Sequence, residues 1–217
     1  LPDLLNELML LNPQTLYAVL MSTAAKTLLQ FGRDPRWLGA EIGFYGMLHT
    51  WGQTLVLHPH VHFLVTGGGL REDGTWVSAP KGRKFLFPIG GLAQVFRGKF
   101  IAGLKKLYRQ QALTLPPQSM AASGEVGWER FLDDVVNRRW VVYAKSPLKS
   151  AAKVVEYLGR YLHRTALSNR RLVAVEQGQV TFRYRDYRDG GKEKLLTLSA
   201  NDFLRRFLLH VLPEGFH

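Results

Sequence analysis

The segment Leu57–Val65 constrains the fold of this chain more than any other, because histidine occupies every second position from 58 to 62. In a β-strand, side chains two positions apart project from the same face of the sheet. His60 and His62 therefore share one face of a predicted strand, with Val61 on the other. Neutral imidazole is a common ligand of divalent metals, so the pair predicts part of a metal site. The alternative is a row of histidines that decorates an exposed sheet face.

A metal site needs a further ligand, and the sequence offers three candidates for it. His49 ends the preceding predicted strand, and an antiparallel hairpin would bring it back toward the pair. Gln53 lies in the intervening turn. His58 shares the face of the pair but sits one step further along the strand, where Pro59 can redirect it. We expect His49 to be the third ligand, with Gln53 and His58 as the open alternatives.

A second local signal is a pair of tyrosines on a predicted helix over residues 150–164. Tyr157 and Tyr161 are four residues apart and are therefore neighbours on one helix face. That face lies off the apolar stripe, among three cations: Lys153, Arg160 and Arg164. Cations bind phosphate and favour the phenolate, whose unperturbed pKa near 10 makes it a poor nucleophile at neutral pH. The arrangement suits phosphoryl transfer to tyrosine, whereas the alternative is that both rings only pack.

The remaining pattern predicts an α+β fold, because helices are inserted between strands that pair in an antiparallel manner. A central antiparallel sheet is expected to carry the histidines. The glycines 67–69 are expected to end the second strand, residues 113–126 to be a flexible connection, and Gln177-Gly178 to turn a hairpin. Helices are predicted at 15–31, 91–112, 127–138, 150–164 and 200–211, and strands at 41–49, 54–66, 76–78, 85–87, 140–145, 171–176, 179–185 and 194–198.

The charge balance indicates a polyanionic partner. Lys and Arg number 29 against 17 Asp and Glu, for a formal net charge of +12, and nucleic acid is a common partner of such a basic domain. The cationic helix at 91–112, with Lys105, Lys106 and Arg109, is expected to line a channel for single-stranded DNA together with the arginines at 160–188. Trp51 and Trp76 are candidates for stacking on bases. The alternatives are that the basic surface has no binding function and that the tryptophans belong to the core.

A strand with His-hydrophobic-His, followed by a helix with Tyr-x-x-x-Tyr, resembles the HUH endonuclease superfamily. More narrowly, the chain is similar to the two-tyrosine transposases of rolling-circle insertion sequences. The similarity covers nearly the whole chain and is carried by residues 48–53, 58–70, 140–145, 156–164, 168–172 and 203–215.

The resemblance implies a specific chemistry and fold. His60 and His62, with His49, would hold Mg²⁺ or Mn²⁺, and one tyrosine would attack single-stranded DNA to leave a 5′-phosphotyrosine link. The second tyrosine would allow a second strand transfer. The expected fold is that of an HUH endonuclease of the Rep or relaxase type, lacking its first strand. Residues 1–217 would be a single catalytic domain, a fragment without the family's N-terminal Cys-rich zinc module and C-terminal tail.

Other functions remain open at this point. One is a catalytically inactive remnant that binds DNA, another is a plasmid replication initiator or relaxase with the same chemistry, and a weaker one is a metal-dependent hydrolase with passive tyrosines. The chain contains no cysteine, which excludes disulfides and Cys-ligated zinc. No apolar run of 18 residues is present, so no membrane association is expected. The expected location is the bacterial cytoplasm, at the nucleoid.

Overall fold

The computed structural model describes residues 1–80, 82–148, 150–162 and 166–211, and the side chains of residues 160–162 lie outside the description. Six helices and six strands are present in these ranges, which confirms the predicted α+β class. The helices are α1 Asn6–Leu11, α2 Pro13–Arg33, α3 Ile89–Arg109, α4 Gly124–Asn137, α5 Ala151–Leu162 and α6 Ala200–Leu208. The strands are β1 Glu41–Trp51, β2 Leu57–Leu70, β3 Trp76–Ser78, β4 Leu172–Glu176, β5 Gln179–Asp186 and β6 Lys192–Ser199.

The chain divides into two compact units. The first unit comprises Leu1–Leu48 and His60–Ala151, and the second comprises His49–Pro59 and Ala152–His217. The second unit therefore contains the tip of the β1–β2 hairpin in addition to the C-terminal elements. The described strands form two three-stranded sheets, β1-β2-β3 and β4-β5-β6, rather than one central sheet.

The first sheet carries the histidine hairpin and differs from the prediction at its glycines. Strand β2 continues through residues 67–69 and pairs antiparallel with β3, with Gly68 opposite Ser78. A Cβ at Gly68 would overlap the carbonyl oxygen of Val77, and one at Gly69 would lie 2.5 Å from the carbonyl oxygen of Glu41. The glycines therefore do not end the strand. Gly68 and Gly69 let neighbouring backbones approach closely, which is one of the positional roles of glycine in strands.

The core of the first unit forms between helices α2 and α3 and the sheet. Phe31, Ile42, Phe87 and Leu92 are buried together, with Phe44 and Val65 packed against them. Helix α4 is amphipathic and buries one side, where Trp128 stacks on Tyr108 of α3 with ring centroids 4.4 Å apart. Burial of such apolar surface is the dominant stabilising contribution to folding.

The predicted strands at 85–87 and 140–145 are wrong. Phe87 is buried against Phe31, with ring centroids 5.7 Å apart, and its backbone belongs to a bend. Trp140 packs its ring on Phe96 and Phe100 of α3 and donates its indole N–H to the carbonyl oxygen of Val135. Phe87 and Trp140 thus pack on helices instead of pairing in a sheet, although the composition of both segments is typical of strands.

The second unit is built on the antiparallel sheet β4-β5-β6. Gln177 and Gly178 both have positive φ, as the two-residue hairpin turn between β4 and β5 requires, so that predicted hairpin is confirmed. Helix α6 is preceded by Ser199, whose side chain caps it by accepting from the Asp202 amide. The core of the unit contains Phe182 and Leu198 from the sheet, Phe203 and Phe207 from α6, and Leu55 from the hairpin tip.

The described helices include none that is both long enough and apolar enough to cross a membrane.

Candidate metal centre

Three histidines cluster in the β1–β2 hairpin. His49 of β1 and His60 and His62 of β2 each contribute a ring nitrogen, and these atoms all lie within 4.8 Å of one another. The rings of His60 and His62 meet edge to face with centroids 4.9 Å apart. His49 is buried, whereas His60 and His62 are half-buried. The hairpin thus brings together the three residues that the sequence predicted.

The cluster follows from local strand geometry. The two-residue spacing of His60 and His62 puts both side chains on one face of β2. Strands β1 and β2 are joined by a turn in which the Gly52 amide donates to the carbonyl oxygen of Val56. Chain reversal over so few residues makes the pairing antiparallel, and it places His49 beside the pair.

The other two candidate ligands have different surroundings. His58 is exposed and is not a member of the cluster. The side-chain oxygen of Gln53 accepts from the amide of Arg185 at 3.4 Å. Among the described residues, His49 is therefore the candidate that best completes the donor set.

The ring of His49 stacks on an aromatic side chain. Trp51 lies two residues further along β1, and its ring stacks on the imidazole of His49 with centroids 4.7 Å apart and an interplanar angle of 17°. Trp51 in turn packs against the core of the second unit and meets the ring of His210 edge to face at 5.9 Å. Trp51 was considered as a base-stacking residue, and its contacts here are with the two histidines. Trp76, the other candidate, is 54% exposed.

Three side chains hold the backbone of the hairpin tip, and we call Arg171, Arg206 and His210 the tip clamp. Each donates to the carbonyl oxygen of one of three consecutive turn residues. Arg171 donates to Gln53, Arg206 to Thr54 at 3.3 Å, and His210 to Leu55 at 3.1 Å. Leu55 itself is fully buried and has a positive φ of 59°, a conformation that a leucine rarely adopts. The clamp and the burial of the leucine side chain together hold this strained turn.

The tip clamp is an element that the sequence analysis does not predict. Arg171 lies within the stretch of arginines predicted to contact DNA, and its contact in the structure is with the hairpin tip. The clamp joins residues more than 110 positions apart, and no local pattern signals such pairs.

The donor set fits a divalent transition metal. Neutral imidazoles suit borderline ions, whereas Mg²⁺ prefers carboxylate, carbonyl and water oxygens. Three protein nitrogens also leave coordination positions for substrate oxygens, as in catalytic metal sites. The three imidazoles could therefore hold a divalent metal ion.

The tyrosine helix α5 lies in the second unit. Tyr157 is half-buried, and Lys153 is exposed and paired with Glu156 at 2.7 Å. Ala151 and Val155, two apolar residues of the same helix, are exposed. The side chains of Tyr161 and Arg160, and the whole of Arg164, lie outside the described residues.

The predicted DNA-contacting residues of α3 are at its C-terminal end. Lys106 and Arg109 are exposed, and Lys105 is half-buried and paired with Glu129 of α4 at 2.8 Å. Lys106 and Arg109 are therefore available at the surface of the first unit, whereas Lys105 is engaged by a carboxylate.

Comparison with known proteins identifies the family. Residues 43–217 match a family model whose description is "Putative transposase". The chain belongs to this transposase family. The matched range includes the three clustered histidines and both tyrosines.

Two curated relatives agree with this family. The protein described as "Putative transposase y4qJ" of Sinorhizobium fredii (strain NBRC 101917 / NGR234) is 44% identical over 218 residues, covering 100% of this chain and 54% of the relative. The "Transposase for insertion sequence element IS801" of Pseudomonas savastanoi pv. phaseolicola is 31% identical over 182 residues, covering 82% of this chain and 42% of the relative. The chain thus spans about half the length of these transposases. A search of the solved structures found no match.

Proposed function

We propose that this chain is the catalytic part of a transposase that nicks and rejoins single-stranded DNA by a tyrosine-nucleophile, metal-dependent reaction. The observation that carries the proposal is the cluster of His49, His60 and His62 in a member of a transposase family. The relative named for an insertion sequence element favours transposition over plasmid replication as the biological setting. The DNA partners would be the ends of the mobile element and its target, in the bacterial cytoplasm at the nucleoid.

The proposed cut is a transesterification at phosphorus. The phenolic oxygen of Tyr157 or Tyr161 forms a bond to the scissile phosphorus, and the bond from phosphorus to the 3′-oxygen breaks. The phenol gives up its proton, and the leaving oxygen takes one up to become a 3′-hydroxyl. The product is a 5′-phosphotyrosine that keeps the phosphodiester energy, so a 3′-hydroxyl can reverse the step and rejoin the strand. The other tyrosine can accept a second strand in the same way.

The three imidazoles would hold the divalent ion. When bound, Mn²⁺ or Mg²⁺ would act as a Lewis acid that polarises the scissile phosphate and stabilises the charge of the transition state. His49 is buried and stacked on Trp51, so its ring is fixed before the ion arrives. Pre-organised ligands reduce the cost of ordering them on binding.

The cations would bind and orient the DNA backbone. Lys153, Arg160 and Arg164 lie close to the tyrosines in sequence and are proposed to hold the phosphate near the nucleophile and favour the phenolate. Lys105, Lys106 and Arg109 are proposed to contact the strand away from the cut. Because each such contact releases counterions, affinity is expected to fall steeply with salt.

A cleavage assay on a random-sequence library of labelled single-stranded DNA tests the proposal without knowledge of the target. With Mn²⁺ present we expect products whose 3′ ends a polymerase can extend, and no products in EDTA. The His58→Ala variant is the matched control, since His58 lies on the same strand but outside the cluster. Binding without any cleavage across the library, also at high protein concentration, would instead indicate an inactive DNA-binding remnant.

A further inference from the structure

A cavity of about 330 Å³ opens on the first unit beside the N-terminal half of α3. It is lined by Gly90, Ala93, Gln94, Arg97, Arg138, Arg139 and Trp140. Residues 90, 93, 94 and 97 follow the helical repeat and therefore present one face of α3. Residues 138–140 close the other side directly after α4. Three of the seven lining residues are arginines, and none is acidic.

The three arginines have no carboxylate partner among the described residues. Arg97 is half-buried and donates to the carbonyl oxygen of Val136 at 3.4 Å. Arg138 and Arg139 are exposed. Other surface cations of the same unit are neutralised, for example Arg33 by Glu41 at 3.1 Å and Arg36 by Asp34 at 2.6 Å. Three like charges converge on one cavity without compensation, an arrangement that an anion would stabilise.

The wall of the cavity is rigid. Trp140 is fixed by its hydrogen bond to Val135 and by edge-to-face contacts with Phe96 and Phe100. Because Trp140 directly follows Arg139, its packing fixes the chain that carries Arg138 and Arg139. The site is thus held by the core of the unit, which favours selective binding over loose ionic attraction.

We propose that this cavity is a second binding site for the phosphate backbone of single-stranded DNA, at the opposite end of α3 from Lys105, Lys106 and Arg109. Guanidinium groups form paired hydrogen bonds with phosphate oxygens, which lysine cannot do. An acidic protein is the other class of polyanion, and the membership of a transposase family favours DNA. The inference rests on the proposed function for the identity of the ligand. A single DNA strand bound at both ends of α3 would run along the helix, which is about 30 Å long for its 21 residues.

The test is a salt titration of binding to a labelled single-stranded oligonucleotide, with the double variant Arg138→Gln/Arg139→Gln. Both side chains are exposed, so the variant is expected to fold, and thermal unfolding checks this. We expect roughly tenfold weaker binding at low salt and a salt slope smaller by about 1.4, since each lost contact on a single strand lowers the slope by about 0.7. The Arg33→Gln/Arg36→Gln variant removes the same charge from paired positions and should retain the slope of the parent chain.

Three outcomes overturn the inference. The first is an unchanged slope in the Arg138/Arg139 variant, and the second is a slope change equal to that of the Arg33/Arg36 control, which would indicate net charge alone. A loss of poly-glutamate binding with unchanged DNA binding would also overturn it, in favour of an acidic protein partner. Cleavage by the same preparations is measured separately. If the parent chain binds DNA without cutting it and the slope still falls, the binding site stands while the proposed catalytic function fails.

Discussion

Nε2 of His210 lies 3.1 Å from the carbonyl oxygen of Leu55, so a side chain near the C-terminal end of the described chain is hydrogen-bonded to the tip of the histidine hairpin. A carbonyl can only accept, so Nε2 carries the proton in this contact. Nδ1 lies 3.1 Å from the hydroxyl of Thr50, which can donate to it when the ring is neutral. Burial lowers the pKa of His210 and so favours this neutral form, in which both ring nitrogens are used. Thr50 adjoins His49, which links the C-terminal residues of the second unit to the candidate metal ligand.

Replacing His210 by phenylalanine is expected to destabilise the second unit. The variant keeps a ring of similar shape but leaves the Leu55 carbonyl and the Thr50 hydroxyl unsatisfied, at about 1–3 kcal/mol for each buried group. The measurement is urea-induced unfolding followed by tryptophan fluorescence. Val56→Ala, at an exposed position of the same turn, is the control and should change the free energy of unfolding little. A His210→Phe variant as stable as the parent chain would show that the clamp contributes nothing at this position.

His210 also predicts a pH dependence of stability. Burial lowers the pKa of this imidazole below its ordinary value of 6.5, although the hydrogen bond to Leu55 opposes the shift. As the pH falls below about 6.5, the unfolded chain takes up a proton before the folded chain does, and stability decreases. The loss continues through the folded pKa and is complete below it. The measurement is the free energy of unfolding of the parent chain minus that of His210→Phe, between pH 8 and pH 4. This difference should become smaller as the pH is lowered. A pH-independent difference would contradict the shift.

Alanine at each clustered histidine is expected to abolish tight metal binding. Loss of a residue that only orients a metal ligand weakens metal affinity by roughly 10–100-fold. Removal of one of the three ligands themselves should weaken Mn²⁺ affinity by more than this. Electron paramagnetic resonance of free Mn²⁺ during titration measures this without any need for DNA cleavage. His58→Ala and Gln53→Ala test the two alternative ligands and should bind like the parent chain. If His58→Ala lost the metal while His49→Ala kept it, the assignment of the third ligand would be wrong.

Trp51 is expected to position His49 through ring stacking. Trp51→Ala removes the stacked ring and should weaken Mn²⁺ binding by about tenfold, within the range known for residues that orient metal ligands. Trp51→Phe keeps an aromatic surface and should restore most of the affinity. The same Mn²⁺ titration, paired with a check of thermal unfolding, separates positioning from loss of the fold. Equal affinities for both variants and the parent chain would leave Trp51 with a packing role only.

Local regularities of the sequence account for the parts of the fold and site that could be predicted. The two-residue repeat of His60 and His62 is enough to put both rings on one face, and a tight turn is enough to return His49 to them. The sequence wrongly predicted that the glycines 67–69 end the second strand. A residue without Cβ can either end a strand or let another backbone approach closely. Only the positions of Val77 and Glu41 in the fold decide between these two roles. The same limit applies to Trp140, whose partners Phe96 and Phe100 lie on a distant helix.

Long-range pairs explain what sequence reasoning could not reach. The tip clamp depends on the fold of β5, β6 and α6 against the turn, and its residues carry no signature of that role. Arg97 and Arg139 are 42 positions apart, so their shared cavity was equally hidden. Periodicity reports neighbours along one element, whereas these contacts depend on how separate elements pack.

The most direct test of the central claim is a covalent-adduct assay. Labelled single-stranded DNA is incubated with the chain and Mn²⁺, and a protein-linked band is sought on a denaturing gel, with Tyr157→Phe, Tyr161→Phe, the double variant and His60→Ala alongside. We expect an adduct with the parent chain, reduced or absent adduct in each single tyrosine variant, and none in the double variant or in His60→Ala. The ratio of the two single variants ranks the nucleophiles. An adduct that persists in the double tyrosine variant, or DNA cut by the parent chain with no adduct and with water as the nucleophile, would contradict the tyrosine mechanism.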